Sequence, residues 1–354
     1  MSYTVPLADC TPGRAADVGG KAIGLGSLLG QERDVPPGFV VTTGAYREWV
    51  AEHGLGREIA RLVGGATDAA AQEAASREIH ALFTGAALTG DLAAEVAAAY
   101  RRLGDDAGIV VAVRSSATAE DLAEASFAGQ QESYLGVTGT DSVLAHVVRC
   151  WASLFTPQAI SYRLRLGIPA GQVAMAVLVQ RLVPAEAAGV MLTIDPVTGD
   201  PSQITIEGAH GLGAPVVGGE LTPDRFAVDK VTLDVRSRAI SRKPFADRFD
   251  QATATVVRFE LDEDEGAASC LRDGEVVELA RVGREVERAH GSAVDVEWAV
   301  GPGPDGPRHL YLLQARPETV WSAKPAASIV DPGTTALDRM VAVMLGTRRN
   351  QGRT

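Results

Sequence analysis

The run from Val111 to Val137, VAVRSSATAEDLAEASFAGQQESYLGV, constrains this chain more than any other segment. Ile109 to Val113 is apolar and mostly β-branched, which reads as a strand, and it leads straight into Arg114. Ser115, Ser116, Ala117, Thr118, Ala119, Ser126, Ala128 and Gly129 then keep the backbone thinly clothed. Amide N–H groups in such a loop can approach an anion closely, and the guanidinium adds a planar, permanent charge. The pattern fits a phosphate-handling loop; a Ser/Ala-rich surface loop has the same composition.

Length and charge narrow the partners. At 354 residues the chain can build more than one packed unit, and 46% hydrophobic content is that of a globular protein with true cores. No apolar run reaches the roughly 18 residues of a membrane span, and the start MSYTVPLADC has neither a basic nor an apolar leader segment. The expectation is therefore a cytoplasmic protein with no membrane partner. Cys10, Cys150 and Cys270 are scattered without CxxC spacing, which points to reduced thiols instead of disulfides or a zinc site. A net charge of −12 argues against a nucleic-acid partner, while a local basic pocket for a triphosphate is compatible with an acidic protein.

Periodicity gives an α+β organisation. Gly19-Gly20-Lys21 opens a helical run to Leu29, Val35-Pro36-Pro37-Gly38 turns the chain into a strand at Phe39 to Val41, and Thr42 or Thr43 caps a following helix. Residues from about 45 to 105 are Ala-rich with helical spacing and read as a helical insertion. Met175–Val179, Gly189–Ile194, Ile204–Glu207, Phe226–Val228 and Val231–Val235 read as short strands separated by turn residues such as Asp195-Pro196 and Thr198-Gly199-Asp200. Gln251 to Asp273 fits neither pattern cleanly, and Glu275 to His290 is helical with Gly291 at its C-terminal cap. No internal repeat stands out. The expected division is an N-terminal lobe over 1–195, a C-terminal lobe over 196–320 and a tail over 321–354.

A second chemical constellation closes the folded region. Val294, Val296, Trp298 and Val300 alternate with Asp295, Glu297 and Ala299, so Glu297 points away from the apolar face of its strand. Gln314 and Arg316 share a face on the next strand, and a hairpin would bring both to Glu297. A carboxylate and an amide carbonyl are hard oxygen ligands suited to magnesium, and an arginine suits a transferring phosphoryl group. By spacing alone the same residues also fit a solvated hairpin face.

These motifs together resemble the ATP-binding module shared by the phosphoenolpyruvate synthase, pyruvate phosphate dikinase and rifampin phosphotransferase families. VGGKAIGLGSLL with VPPGFVVTT is similar to the family's opening, VRSSATAEDLAEASFAGQ to its nucleotide-binding loop, DPVTGD with GAHGLGAPVVGGELTPDRF to its middle, and DVEWAV with LYLLQARPET to its close. The resemblance runs from about Gly19 to Thr319 and implies an ATP-grasp-like, two-lobed α+β domain using ATP and Mg2+. It implies that Lys21 and Arg114 bind ATP phosphates, and that Gly129 and Ser133 contact the triphosphate. Gln180 would meet the adenine or the hinge, Glu297 and Gln314 would hold magnesium, and Arg316 would stabilise phosphate charge. Lys21, Arg114 and Arg316 are the catalytic candidates. Ser133 stands where the family often has threonine, which keeps the hydroxyl. Glu207, His210 and the Gly211-Leu212-Gly213 turn fit either pocket lining or a structural turn.

The family continues into a domain with a phosphorylatable histidine in a T-S-H-A-type loop, and none of His53, His80, His146, His210, His290 or His309 has that context. Three readings follow: a phosphotransferase module that charges a histidine on a separate protein and releases AMP and phosphate; a direct small-molecule kinase; and a nucleotide-binding module without turnover. The retained Lys21, Arg114, Glu297, Gln314 and Arg316 count against the third.

Overall fold

The computed structural model describes residues 2–104, 108–117, 133–304, 306–319 and 321. The expected nucleotide-loop residue Gly129 and nearly all of the 321–354 tail lie outside them. Residues Met1–Glu318 form one compact α+β unit.

The first sheet joins β1 (Thr4–Pro6), β2 (Gly38–Val41), β5 (Met175–Arg181), β3 (Val111–Ala117) and β4 (Ser133–Val137) in that order, with antiparallel pairing throughout. One face carries Phe39, Val41, Val111, Val113, Val177 and Val179, and a helical layer packs on it. That layer comprises α2 (Thr43–Glu52), α3 (Gly56–Gly64), α4 (Ala69–Thr84), α5 (Gly90–Arg101), α6 (Thr140–Ala152) and α7 (Pro157–Leu166). Thr42 settles the cap of α2, its side chain accepting from Ala45 N at 3.2 Å. The segment read as an insertion over 45–105 is integral to the fold: Ile59, Ile79, Phe83, Val96 and Tyr100 share one core with the sheet. The physical reason is that each helix has a single apolar stripe and must bury it.

The second sheet has the order β13 (Gly306–Pro317), β12 (Val294–Gly303), β6 (Ala187–Leu192), β7 (Gln203–His210), β8 (Asp224–Asp229) and β9 (Val235–Ala239). Because β6 already belongs to this sheet, the change of sheet falls at residues 182–186, ahead of the boundary expected at 195. The pattern change at Asp195 marks only the turn between β6 and β7. Short helix α8 (Ala214–Val217), the β10–β11 hairpin (Phe245–Asp250 with Thr255–Glu260) and α9 (Glu263–Ala267) are excursions from this sheet. Helix α10 (Asp273–His290) lays Val276, Leu279 and Val286 on the face bearing Ile204, Ile206, Val294, Val296 and Trp298.

The stretch Val231–Val235, expected as a strand, is instead largely the turn between β8 and β9. Asp229 accepts the amides of Val231 and Thr232 at 2.8 Å each, Asp234 N donates to Thr232 Oγ1, and Leu233 adopts φ +64°. The β6–β7 turn repeats this arrangement: Asp195 accepts Val197 and Thr198 amides at 2.8 Å each, Asp200 N donates to Thr198 Oγ1, and Gly199 takes φ +74°. Two copies of Asp-x-Val-Thr-x-Asp thus shape neighbouring turns at one end of the sheet, a local repeat within the chain.

Helix α1 (Ala15–Gly30) packs against both sheets. Val18, Ala22, Leu25 and Leu28 form its buried stripe. The helix is interrupted at Gly19 (φ +76°), where a Cβ would collide with the Ser116 carbonyl, so Lys21 sits in the first turn after the break. At Gly24 a Cβ would lie 2.5 Å from the Ala315 carbonyl of β13. Among the described residues no helix is long and apolar enough to cross a membrane.

Candidate functional site

Arg114 leaves the first sheet on the face opposite the helical layer and spans to the second. Its Nη2 donates to Glu297 Oε2 at 2.5 Å and to Gln314 Oε1 at 3.2 Å, and its Nη1 donates to the Leu313 carbonyl at 3.1 Å. The pair is largely withdrawn from water, with side chains 12% and 22% exposed. Glu297 and Gln314 are direct cross-strand partners, as the hairpin reading expected, and the register shifts immediately beyond them. That irregularity lets Leu312 face the core opposite Trp298 while Gln314 faces Arg114.

Burial pushes the Glu297 carboxyl up, but Arg114 outweighs it, helped by Lys21 and then Arg316, and the group is held below its ordinary value. Lys21, Arg114, Arg316, Glu297 and Gln314 are therefore electrostatically one cluster. Arg316 also bonds Asp295, its cross-strand partner, at 2.9 and 2.7 Å. Burial raises the Asp295 carboxyl, with Arg316 opposing. Asp295 is a member of the cluster that sequence reasoning passed over, although its parity with Glu297 on β12 was available as a signal. Ser133 pairs with Arg114 in the register of β3 and β4, which puts its side chain on the same face.

Gln180 is buried on β5, pairs with Ala112, and spends its amide nitrogen on the Pro36 carbonyl at 3.1 Å. It lies on the Arg114 face, two residues along each strand from the Arg114–Leu178 pair. Ser116 is committed to α1: its hydroxyl donates to the Val18 carbonyl at 2.8 Å and accepts from Ala22 N at 3.4 Å. Its role is to fix the α1 break beside β3. Glu207 shares the row of Glu297 across the second sheet, through Val190, and its carboxylate lies 3.8 Å from Arg225. His210 has the opposite parity and meets the Ala268 carbonyl at 3.2 Å, so the structural alternative holds for it. Among the described residues no group of three or more His, Cys, Asp or Glu side chains could hold a metal. A divalent ion at Glu297 and Gln314 would therefore need oxygens from its own ligand. The donor types fit magnesium, because both oxygens already converge on one cationic group, the Arg114 guanidinium.

Comparison with known proteins shows the family of the chain. Residues 15–335 match the family described as pyruvate phosphate dikinase, AMP/ATP-binding domain. A probable phosphoenolpyruvate synthase of Methanocaldococcus jannaschii is 42% identical over 306 residues, covering 85% of this chain and 25% of that protein. The phosphoenolpyruvate synthase of Aeropyrum pernix is 41% identical over 346 residues, covering 89% and 42%. That of Pseudomonas aeruginosa is 37% identical over 371 residues, covering 100% and 45%. The chain spans between a quarter and just under half the length of these relatives. With most of its length matched by the family and by relatives of this identity, the chain belongs to the pyruvate phosphate dikinase AMP/ATP-binding domain family.

Proposed function

We propose that this chain is the ATP-cleaving module of a dikinase-type phosphotransferase: an ATP-grasp-like unit that holds MgATP between its two sheets, passes a phosphoryl group to a histidine outside this chain, and releases AMP and phosphate. The observation that carries the reading is Arg114, which crosses from β3 to Glu297 and Gln314 on the other sheet. A cation and two oxygen donors held together between sheets are the complementary halves of a metal–triphosphate site.

In this reading Lys21 and Arg114 bind phosphate oxygens, Gly129 and Ser133 touch the triphosphate from the loop, and Gln180 lines the base or hinge. Glu297 and Gln314 hold Mg2+, and Arg316, oriented by Asp295, neutralises charge on the transferring group. Bound magnesium would supply Lewis-acid charge to the phosphate oxygens. The chain's own residues supply position and charge, which is most of what phosphoryl transfer asks of a protein.

The acceptor is read as external because several of the described nucleophiles are otherwise engaged. Ser116 is bonded to α1, and Cys10, Cys150 and Cys270 are buried, with burial pushing the Cys10 thiol up to about 11. His53, His146 and His210 contact backbone carbonyls of Trp49, Ser142 and Ala268, away from the Arg114 cluster.

Product analysis tests the reading. With a histidine-bearing acceptor protein, ATP should yield AMP, whereas the isolated chain should be nearly idle. ADP as sole product with a small-molecule acceptor would favour the direct-kinase alternative. Fast AMP formation by the chain alone, with labelled phosphate retained on it after denaturation, would show an internal nucleophile and overturn the proposal.

A further inference from the structure

The second sheet has a hollow on the α10 side, away from the Glu297 face, with charged side chains around a largely apolar surface. It is open to solvent, has a volume of about 610 Å3, and is lined by Lys230 and Val231 of the β8–β9 turn, by Arg284, Glu287 and Arg288 of α10, and by Gly291 and Ser292 after it. Three cations meet one carboxylate there. Glu287 is already matched by Lys230, with Nζ 3.0 and 2.9 Å from its two oxygens, and Lys230 also reaches the Thr193 carbonyl. Neither Arg284 nor Arg288 has a carboxylate partner among the described residues.

Arg284 is held in place. Its Nη1 donates to the Lys230 and Val231 carbonyls at 3.2 Å each, which ties α10 to the turn. A guanidinium presents its donors in a fork that suits an oxyanion. Arg288, one turn along the helix, is exposed and adds charge at the mouth.

We infer that this hollow is a second anion site, taking a small phosphate-bearing ligand on Arg284 and Arg288. Lys230 holds Glu287 aside, and Ser292 offers a hydroxyl at the rim. The site lies behind the sheet that carries Glu297 and does not depend on nucleotide binding.

The test uses the full chain with the nucleotide cluster disabled, as Lys21→Ala/Arg114→Ala, so that phosphate bound there is not counted. Titration calorimetry with inorganic phosphate and with glycerol 3-phosphate should still detect binding. Adding Arg288→Ala should weaken it by about tenfold, the loss of one charge-assisted contact. Adding Glu287→Gln should tighten it, because a carboxylate beside the anion is removed, an effect that a purely structural Lys230–Glu287 bridge would not produce. Binding of phosphate alone would identify the free ion as ligand, and equal or tighter binding of the ester a phosphate monoester. No binding of either at millimolar concentration, or binding indifferent to both Arg288→Ala and Glu287→Gln, would overturn the inference. Arg288 is exposed, so its variant tests the site even if Arg284 variants fail to fold.

Discussion

Arg114 and Glu297 are 183 positions apart and meet at 2.5 Å, joining β3 of the first sheet to β12 of the second. Each holds the other in a site where either alone would be a poorly solvated charge. Arg114→Ala should therefore weaken MgATP binding and also destabilise the fold at neutral pH, by about 1.5–3 kcal/mol for one charge-assisted contact. Glu297→Gln in the same chain should recover part of the stability and none of the binding. Denaturant unfolding across the four chains of the double-mutant cycle measures the coupling. Additive effects would mean the pair is incidental.

Lys21→Ala tests the proposed nucleotide site while leaving the Arg114–Glu297 hydrogen bond in place. It should lower MgATP affinity by roughly ten- to hundredfold through a lost phosphate contact. Unaltered calorimetric affinity in both the Lys21 and Arg114 variants would remove the phosphate assignment.

Acid should act on this fold from several carboxylates at once. Hydrogen bonds to Asp195, Asp229 and Asp250 in their turns, and Arg114 at Glu297 against the opposing effect of burial, hold these groups below their ordinary values. A depressed folded value means that the stabilisation is fully present above the unfolded value, near 4, and is lost as pH falls through the folded one. The melting temperature should be insensitive to these groups above about pH 5 and drop steeply below pH 4. Asp229→Asn should make that drop shallower; an identical pH profile would show that the turn hydrogen bonds do not set it.

Lys243 and Asp224 form a wholly buried pair at 2.5 Å, and the ammonium also donates to the Ser241 and Ala268 carbonyls. Removing one partner leaves a charge in the core, so Lys243→Ala should cost about 3–5 kcal/mol. Lys243→Met with Asp224→Leu should cost much less. A loss below about 1 kcal/mol for the single variant would imply that water reaches the pair.

Gly24 sets how closely α1 can approach β13. Gly24→Ala places a methyl 2.5 Å from the Ala315 carbonyl, one residue from Gln314. The helix must shift, at about 1–3 kcal/mol, and Lys21 shifts with it. MgATP affinity should fall alongside stability; full affinity in a destabilised variant would mean that Lys21 is not positioned by this contact.

Much of this was decided locally and could be read from the chain. Alternation on β12 fixed the face of Glu297, glycines marked the start of the helical run to Leu29 and the cap of α10, and Asp195 to Asp200 announced a turn. The same Asp-x-Val-Thr-x-Asp spacing at 229–234 was equally legible, but the β-branched residues inside it suggested a strand; side-chain capping by Asp229 overrides that propensity. What the sequence could not determine depends on contacts between distant segments. β6 joins the second sheet by pairing with β12, more than a hundred residues later. Ser116 was committed to α1, and Asp295 to Arg316, only when chain packing brought those groups within hydrogen-bond range. Periodicity tells which way a side chain points; whether a charge there meets a ligand, a partner or water is decided by which strand comes to lie opposite.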